Sequence, residues 1–185
     1  MGLYNTRSSV LVAGDPVPAM TTGNSGLSAR LLRNPVHCLS LGFGSGLSPQ
    51  APGTCGTLVG VLIYLPMRGL DLPIYLVLLA ALFVTGVVVC GRTTKMLGCH
   101  DHGAIVWDEI VGYLATMVLA PRGWLWVLMG FVLFRLFDIL KPWPIRWLDR
   151  QVRGGIGIML DDLLAALFSA VSLQLIAYLL ESYIE

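Results

Sequence analysis

Carboxylate side chains lie within or beside stretches of this sequence that are otherwise apolar enough to cross a bilayer. A charged side chain at the centre of a membrane helix costs about 2.5–3.5 kcal/mol, so such acids are expected to face one another, water, a cation or a basic partner. Hard oxygen donors without a cluster of thiolates favour Mg²⁺, which binds a few carboxylates together with substrate phosphate oxygens. The acids are Asp108, Glu109, Asp138, Asp161 and Asp162.

Basic residues follow one of these acids closely and suggest the ligand. Lys141 and Arg146 flank a turn stiffened by Pro142 and Pro144, directly after Asp138. Cations held beside a group of acids at a membrane face predict a substrate that carries phosphate. Arg150 and Arg153, further along, are more simply explained by attraction to anionic lipid.

The overall composition predicts a membrane protein. Of the 185 residues, 56% are hydrophobic and only 12% are charged, and the mean hydropathy is +0.76. The net charge of +1 argues against a nucleic-acid partner, which would require a basic surface.

The apolar segments predict an all-α fold, a polytopic membrane helical bundle of about four to five hydrophobic helices. Four segments have roughly the 17–25 residues that span a bilayer, while the first is short and follows a run rich in glycine and proline, so it is predicted to be short or half-inserted. Residues 1–33 form a polar leader that is expected to be flexible, and residues 34–185 form the membrane-embedded domain. The apolar segments are 55–67, 72–90, 104–120, 123–140 and 158–180.

The distribution of Lys and Arg predicts the orientation, because cytoplasmic loops are enriched in both. If all five segments cross, nine basic residues lie on one face and only Arg68 and Arg122 on the other. This topology brings the start of the third segment, the end of the fourth and the start of the fifth to the same cytoplasmic face, so the acids are predicted to converge there. The nine are Arg7, Arg30, Arg33, Arg92, Lys95, Lys141, Arg146, Arg150 and Arg153.

Helical spacing relates some of these side chains to one another. Arg135 and Asp138 are three residues apart and should meet on one helix face, either as a structural salt bridge or as part of the chemistry. Asp161 and Asp162 lie about 100° apart around a helix, so both cannot point squarely inward.

Four ordered blocks of the sequence resemble the bacterial phosphatidylglycerophosphatase A family. The likeness covers residues 34–166 and leaves out the leader and the end of the last helix. The blocks are FGSGLSP with APGT (residues 43–54), DHGAIVWDE (101–109), FDILKPWPIR (137–146) and GGIGIMLDD (154–162).

The resemblance implies a Mg²⁺-dependent lipid phosphatase of the bacterial inner membrane. Such an enzyme hydrolyses phosphatidylglycerophosphate to phosphatidylglycerol and phosphate in phospholipid biosynthesis, with its active site on the cytoplasmic face. Its partners are the bilayer and the phospholipid substrate, and self-association is left open.

The resemblance also yields candidate site residues. One or two Mg²⁺ ions are expected to be held by acids from the set Asp101, Asp108, Glu109, Asp138, Asp161 and Asp162, and all of these except Asp161 are candidates for catalysis. Arg135, Lys141 or Arg146 would steady the phosphate oxygens. Ser45 and Thr54 are candidates for the same role, although short hydroxyl side chains in loops commonly bond their own backbone.

Two other functional classes also place carboxylates in membrane segments. A cation transporter needs a polar path through the far half of the membrane, whereas residues 113–120 are almost wholly apolar. A CDP-alcohol-type phospholipid transferase would be expected to carry a DGxxAR block, and the sequence has none. Phosphatases that use a cysteine nucleophile in a C-x5-R loop, or a DxDxT aspartate, lack their motif here as well.

Overall fold

The protein folds as a bundle of α-helices, so the predicted all-α class is confirmed. A computed structural model describes residues 11–12, 15–16, 29–98 and 102–184. Among the described residues, the bundle is accompanied by a 3₁₀ helix, Ala29–Arg33, by 3₁₀ turns over Gly42–Leu47 that are interrupted by the positive φ angles of Phe43 and Gly44, and by a two-residue antiparallel pairing of β1 (Leu11–Val12) with β2 (Asp15–Pro16). The helices are α1 (Pro35–Ser40), α2 (Pro52–Met67), α3 (Leu72–Leu97), α4 (Trp107–Thr116), α5 (Trp124–Leu140), α6 (Ile145–Gln151) and α7 (Gly154–Ile184).

Local sequence signals account for several helix ends. At the start of α1, the side-chain oxygen of Asn34 accepts a hydrogen bond of 3.0 Å from the backbone N–H of Val36. The last turn of α3 is closed by Gly98, whose φ of 68° is left-handed and strains residues other than glycine. α5 ends at Leu140, its cap residue Lys141 also has a positive φ, and the following Pro142 prevents the helix from continuing.

Two helices among the described residues are long and apolar enough to cross a membrane, namely Leu72–Leu97 and Gly154–Tyr183. Both extend beyond the segments predicted from hydropathy. α2 is apolar but has only 16 residues. It runs as one continuous helix from Pro52 to Met67.

The third predicted segment, 104–120, is helical only from Trp107 to Thr116. Ten residues at about 1.5 Å each make a helix half as long as the roughly 30 Å hydrocarbon core, so α4 does not span on its own. The chain leaves the helix at Met117, and Leu119 then takes a positive φ of 58°. Hydropathy overestimated the length of this helix, because residues buried inside a helical bundle are as apolar as residues that face lipid.

α4 is the inner helix of the bundle and packs against α2, α3, α5 and α7. Its side chains Ile110, Tyr113 and Leu114 are fully buried. The long helices instead carry exposed apolar side chains, which is what a bilayer solvates. On α3 and α7 these include Ile74, Val77, Val84, Val88, Leu167, Val171, Leu175 and Leu179.

The segment before α2 packs at the end of the bundle where α3 finishes and α4 begins. The Ser40 and Thr93 hydroxyls are 2.7 Å apart, and His37 Nδ1 lies 2.9 Å from the same Thr93 hydroxyl. The backbone N–H of Val106, just ahead of α4, donates to the carbonyl of Ser40. The segment before α2 and the entry to α4 therefore lie at the same end of the molecule.

Candidate active site

Three acids from two helices form a compact cluster inside the bundle. Asp108 and Glu109 lie in the first turn of α4, and Asp162 comes from α7. One carboxylate oxygen from each lies within 4.8 Å of the others. Asp108 and Asp162 are almost completely buried, and the Glu109 side chain is 15% exposed. The N-terminus of α4 favours negative charge there because its first N–H groups have no partner within the helix.

Each of these acids has a buried oxygen without a hydrogen-bond partner in the described part of the chain. The atoms are Asp108 Oδ1, Glu109 Oε2 and Asp162 Oδ2. Buried polar atoms are nearly always paired, and three neighbouring carboxylates repel one another. A divalent cation would satisfy the oxygens and cancel the repulsion together. The all-oxygen donor set suits a hard ion such as Mg²⁺.

Arg135 lies between this cluster and a fourth acid. Its Nη1 atom is 2.5 Å from Asp138 Oδ2 and 3.8 Å from Glu109 Oε1, so the predicted meeting of Arg135 and Asp138 on one helix face is confirmed. α2 makes room for this arrangement at Gly53. A Cβ at that position would collide with Glu109 Oε1 and stand 3.0 Å from Arg135 Nη1 and Nη2.

Lys141 forms a second ion pair beside the cluster. Its Nζ atom is 2.5 Å from Asp161 Oδ2 and 3.5 Å from Asp149 Oδ1. Burial opposes the charged ammonium group, but the Asp161 carboxylate outweighs this effect and raises the pKa of Lys141. Asp161 therefore contacts Lys141, whereas Asp162 lies with Asp108 and Glu109. This agrees with the separation of about 100° between neighbouring side chains around α7.

Gly112 allows the helices that carry these acids to approach closely. A Cβ added to this α4 residue would lie 2.6 Å from Phe134 Cζ on α5 and 3.3 Å from Asp162 Cβ on α7. Both distances are below ordinary van der Waals contact, so a larger side chain would push α5 and α7 away. The missing side chain thus helps to keep Asp162 near Asp108.

The sequence of the chain matches a known protein family over most of its length. The family model described as Phosphatidylglycerophosphatase A matches residues 38–177, most of the chain. The chain belongs to the phosphatidylglycerophosphatase A family. It is therefore a lipid phosphatase, and the resemblance of its four sequence blocks is confirmed.

Individual relatives agree with the family assignment. The chain is 47% identical to the phosphatidylglycerophosphatase A of Escherichia coli over 148 residues, which cover 80% of this chain and 86% of the relative. It is 45% identical to the Haemophilus influenzae protein of the same name, covering 85% of this chain and 98% of the relative. A Bacteroides thetaiotaomicron protein, provisionally named a phosphatidylinositol-3-phosphatase, is 36% identical over 72% of this chain and 87% of its own length. No solved structure matches.

The other predicted site residues either make backbone hydrogen bonds, are half-buried beside the site, or fall outside the described residues. Arg146 is exposed and donates to the Leu140 carbonyl at 3.3 Å. The Ser45 hydroxyl donates to the Gly42 carbonyl at 2.8 Å, which is the backbone bonding expected of short hydroxyl residues. Thr54 is half-buried in the first turn of α2. Asp101 falls outside the described residues, and the roles predicted for these side chains stay predictions.

The sequence interpretation missed Asp149 and the two glycines that shape the site. Asp149 lies on α6, a helix that was not predicted because the stretch between Pro144 and Gly154 is polar and short. A signal was present, since Asp149 is an isolated acid among basic residues. Gly53 lies in the APGT block, but the sequence did not show which side chains it faces, and no local pattern marked Gly112, because the importance of both comes from side chains on other helices.

Proposed function

We propose that this chain hydrolyses the terminal phosphomonoester of phosphatidylglycerophosphate, releasing phosphatidylglycerol and inorganic phosphate, and that it uses Mg²⁺. The observation that carries the metal assignment is the cluster of Asp108, Glu109 and Asp162, with its buried, unpaired oxygens. The substrate assignment rests on the names of the two relatives that are 45% and 47% identical.

Asp108, Glu109 and Asp162 would hold the ion. Bound Mg²⁺ would neutralise charge on the phosphate and lower the pKa of water. The oxygen of a water molecule attacks phosphorus, the bond from phosphorus to the glycerol oxygen breaks, and that oxygen gains a proton. The proton lost by the water is taken up by a carboxylate of the site, which passes it on through solvent to the glycerol oxygen. Asp138, held by Arg135, is the candidate for this role because it lies outside the three-acid cluster and beside it.

The cations of the site act on the phosphate oxygens. Arg135 is fixed by Asp138 and Glu109, and its buried Nε atom has no hydrogen-bond partner in the described part of the chain. Lys141 is fixed by Asp161. Preorganised positive groups of this kind stabilise charge that develops in the transition state.

The exposed apolar side chains on the outer surface of the bundle support a placement in the membrane. We propose that α3 and α7 cross the bacterial inner membrane, that α2 and α5 complete a bundle of four to five apolar helices around α4, and that the acids face the cytoplasm. Trp143 and Trp147 are exposed near the acid-bearing end, at 81% and 56%, and tryptophan concentrates at membrane interfaces. A headgroup phosphate lies at this depth.

Phosphate release from phosphatidylglycerophosphate by the purified chain tests the proposal. EDTA should abolish release and added Mg²⁺ should restore it. Asp162→Asn should lower kcat on the order of 100-fold or more, the effect of losing one group that stabilises a transition state. Asp71→Asn is the matched control, because Asp71 is an exposed acid in the turn before α3 and should keep wild-type activity.

Three results would contradict the proposal. They are full activity in EDTA, full activity of Asp162→Asn, and transfer or transport without release of phosphate. The last outcome would favour a transferase or a cation transporter instead.

A further inference from the structure

A cavity with a cationic lining lies beside the acid cluster, at the turn that joins α5 to α6. Its volume is about 450 Å³, and Lys141, Arg146, Arg150, Trp143 and Trp147 line it. Arg146 and Arg150 are exposed, and neither pairs with a carboxylate of the described residues. The cavity therefore carries more positive charge than its surroundings neutralise.

Lys141 connects this cavity to the acid cluster. Its side chain lines the cavity, while its Nζ atom contacts Asp161, the residue next to Asp162. A ligand whose phosphate lies at the acid cluster thus has a second anion-binding region immediately adjacent to it, on the other side of one lysine.

We propose that the cavity between α5 and α6 binds the phosphodiester of the lipid substrate, and that Arg146 and Arg150 make the enzyme prefer a lipid phosphomonoester with a second phosphate. This inference rests on the proposed function. Phosphatidylglycerophosphate carries two phosphates joined by a three-carbon glycerol. When the monoester lies at the acid cluster, the diester must lie nearby and nearer the acyl chains.

The geometry of α6 suits this role. Arg146 and Arg150 are four residues apart, so their side chains project from one face of the helix. Guanidinium groups form paired hydrogen bonds to phosphate oxygens and keep their charge at all relevant pH values. The exposed Trp143 and Trp147 on the same lining place the cavity at the depth of lipid headgroups.

The competing explanation is that Arg146 and Arg150 only attract anionic membranes. General attraction would act equally on every anionic lipid substrate, and any exposed arginine at this end would share it. A phosphodiester site would instead discriminate between substrates that have and lack that group.

The test compares kcat/KM for phosphatidylglycerophosphate and phosphatidic acid in the same mixed micelles. Phosphatidic acid has the phosphomonoester and the acyl chains but no phosphodiester. Arg150→Gln and the double variant Arg146→Gln/Arg150→Gln should lower the ratio of the two kcat/KM values about tenfold or more, as the loss of a charged hydrogen bond predicts. Arg153→Gln is the control, because this exposed arginine lies just beyond α6 and outside the cavity.

An unchanged ratio in the double variant, or an equal loss with both substrates, would overturn the inference. Inhibition by added phosphatidylglycerol gives a second measurement, since this product keeps the phosphodiester. Its inhibition constant should rise in Arg150→Gln and stay constant in Arg153→Gln, and no rise in Arg150→Gln would also overturn the inference. EDTA-sensitive release of phosphate from phosphatidylglycerophosphate by the wild-type chain reports separately on the proposed function, because it requires the acid cluster whether or not Arg146 and Arg150 bind the phosphodiester.

Discussion

Lys141 and Asp161 join the end of α5 to α7 through an ion pair in which Nζ and Oδ2 are 2.5 Å apart. The pair neutralises the Asp161 carboxylate next to the cluster and leaves its neighbour Asp162 to face Asp108 and Glu109. Two consecutive acids of α7 therefore have separate roles, one in connecting helices and one in the cluster.

Replacement of Lys141 by methionine should destabilise the protein, because it leaves the Asp161 charge buried without its cation. We expect the free energy of unfolding to fall by about 1–3 kcal/mol, measured as a lower Tm in detergent. Asp161→Asn added to Lys141→Met should recover part of the loss, whereas Lys95→Met, at an exposed position, should change little. Equal Tm values for the single and double variants would show that the pair does not couple α5 to α7.

Mg²⁺ should raise the Tm of the wild-type protein, because the ion would relieve the repulsion between Asp108, Glu109 and Asp162. The free energy of unfolding should increase by about 2.7 kcal/mol at a Mg²⁺ concentration 100 times Kd. Asp108→Asn should be more stable than wild type in EDTA, since it removes a buried charge, and should respond weakly to Mg²⁺. If Mg²⁺ raised the Tm of this variant as much as that of the wild type, Asp108 would be excluded from the metal site. Asp71→Asn is the control, and Mg²⁺ should raise its Tm as much as that of the wild type.

Substitution of Gly112 by alanine should destabilise the bundle by about 1–3 kcal/mol, because the new methyl group would overlap Phe134 and press on Asp162. Gly69→Ala is the control, as no described residue other than its chain neighbours lies within 4 Å of a Cβ there. The added substitution Phe134→Leu should restore part of both Tm and activity. Wild-type Tm in Gly112→Ala would mean that α4 does not approach α5 this closely in the membrane.

Labelling of single cysteines should establish the orientation. In a background without the four native cysteines, Arg122→Cys should react with a membrane-impermeant maleimide in intact cells, and Arg153→Cys should react only after the membrane is opened. This follows from the excess of basic residues at the acid-bearing end of the molecule. The reverse pattern would place the active site on the outer face of the inner membrane.

Much of the site was predictable because its signals are local. The pairing of Arg135 with Asp138 follows from their spacing of three residues. The convergence of α4 and α7 acids at one end follows from counting apolar segments between them. The length of α4 was not predictable, because hydropathy measures apolar content and does not separate burial in protein from burial in lipid.

The amino-acid sequence by itself determined which segments are apolar, which acids interrupt them, at which end of the bundle those acids lie and to which family the chain belongs. Only the tertiary structure decided that Asp161 contacts Lys141 while Asp162 joins Asp108 and Glu109, and that Gly53 and Gly112 must lack side chains. The physical reason is that hydropathy and helical spacing are properties of one segment. The partner that a side chain meets depends on how its helix is rotated and crossed against others, and packing between helices sets both.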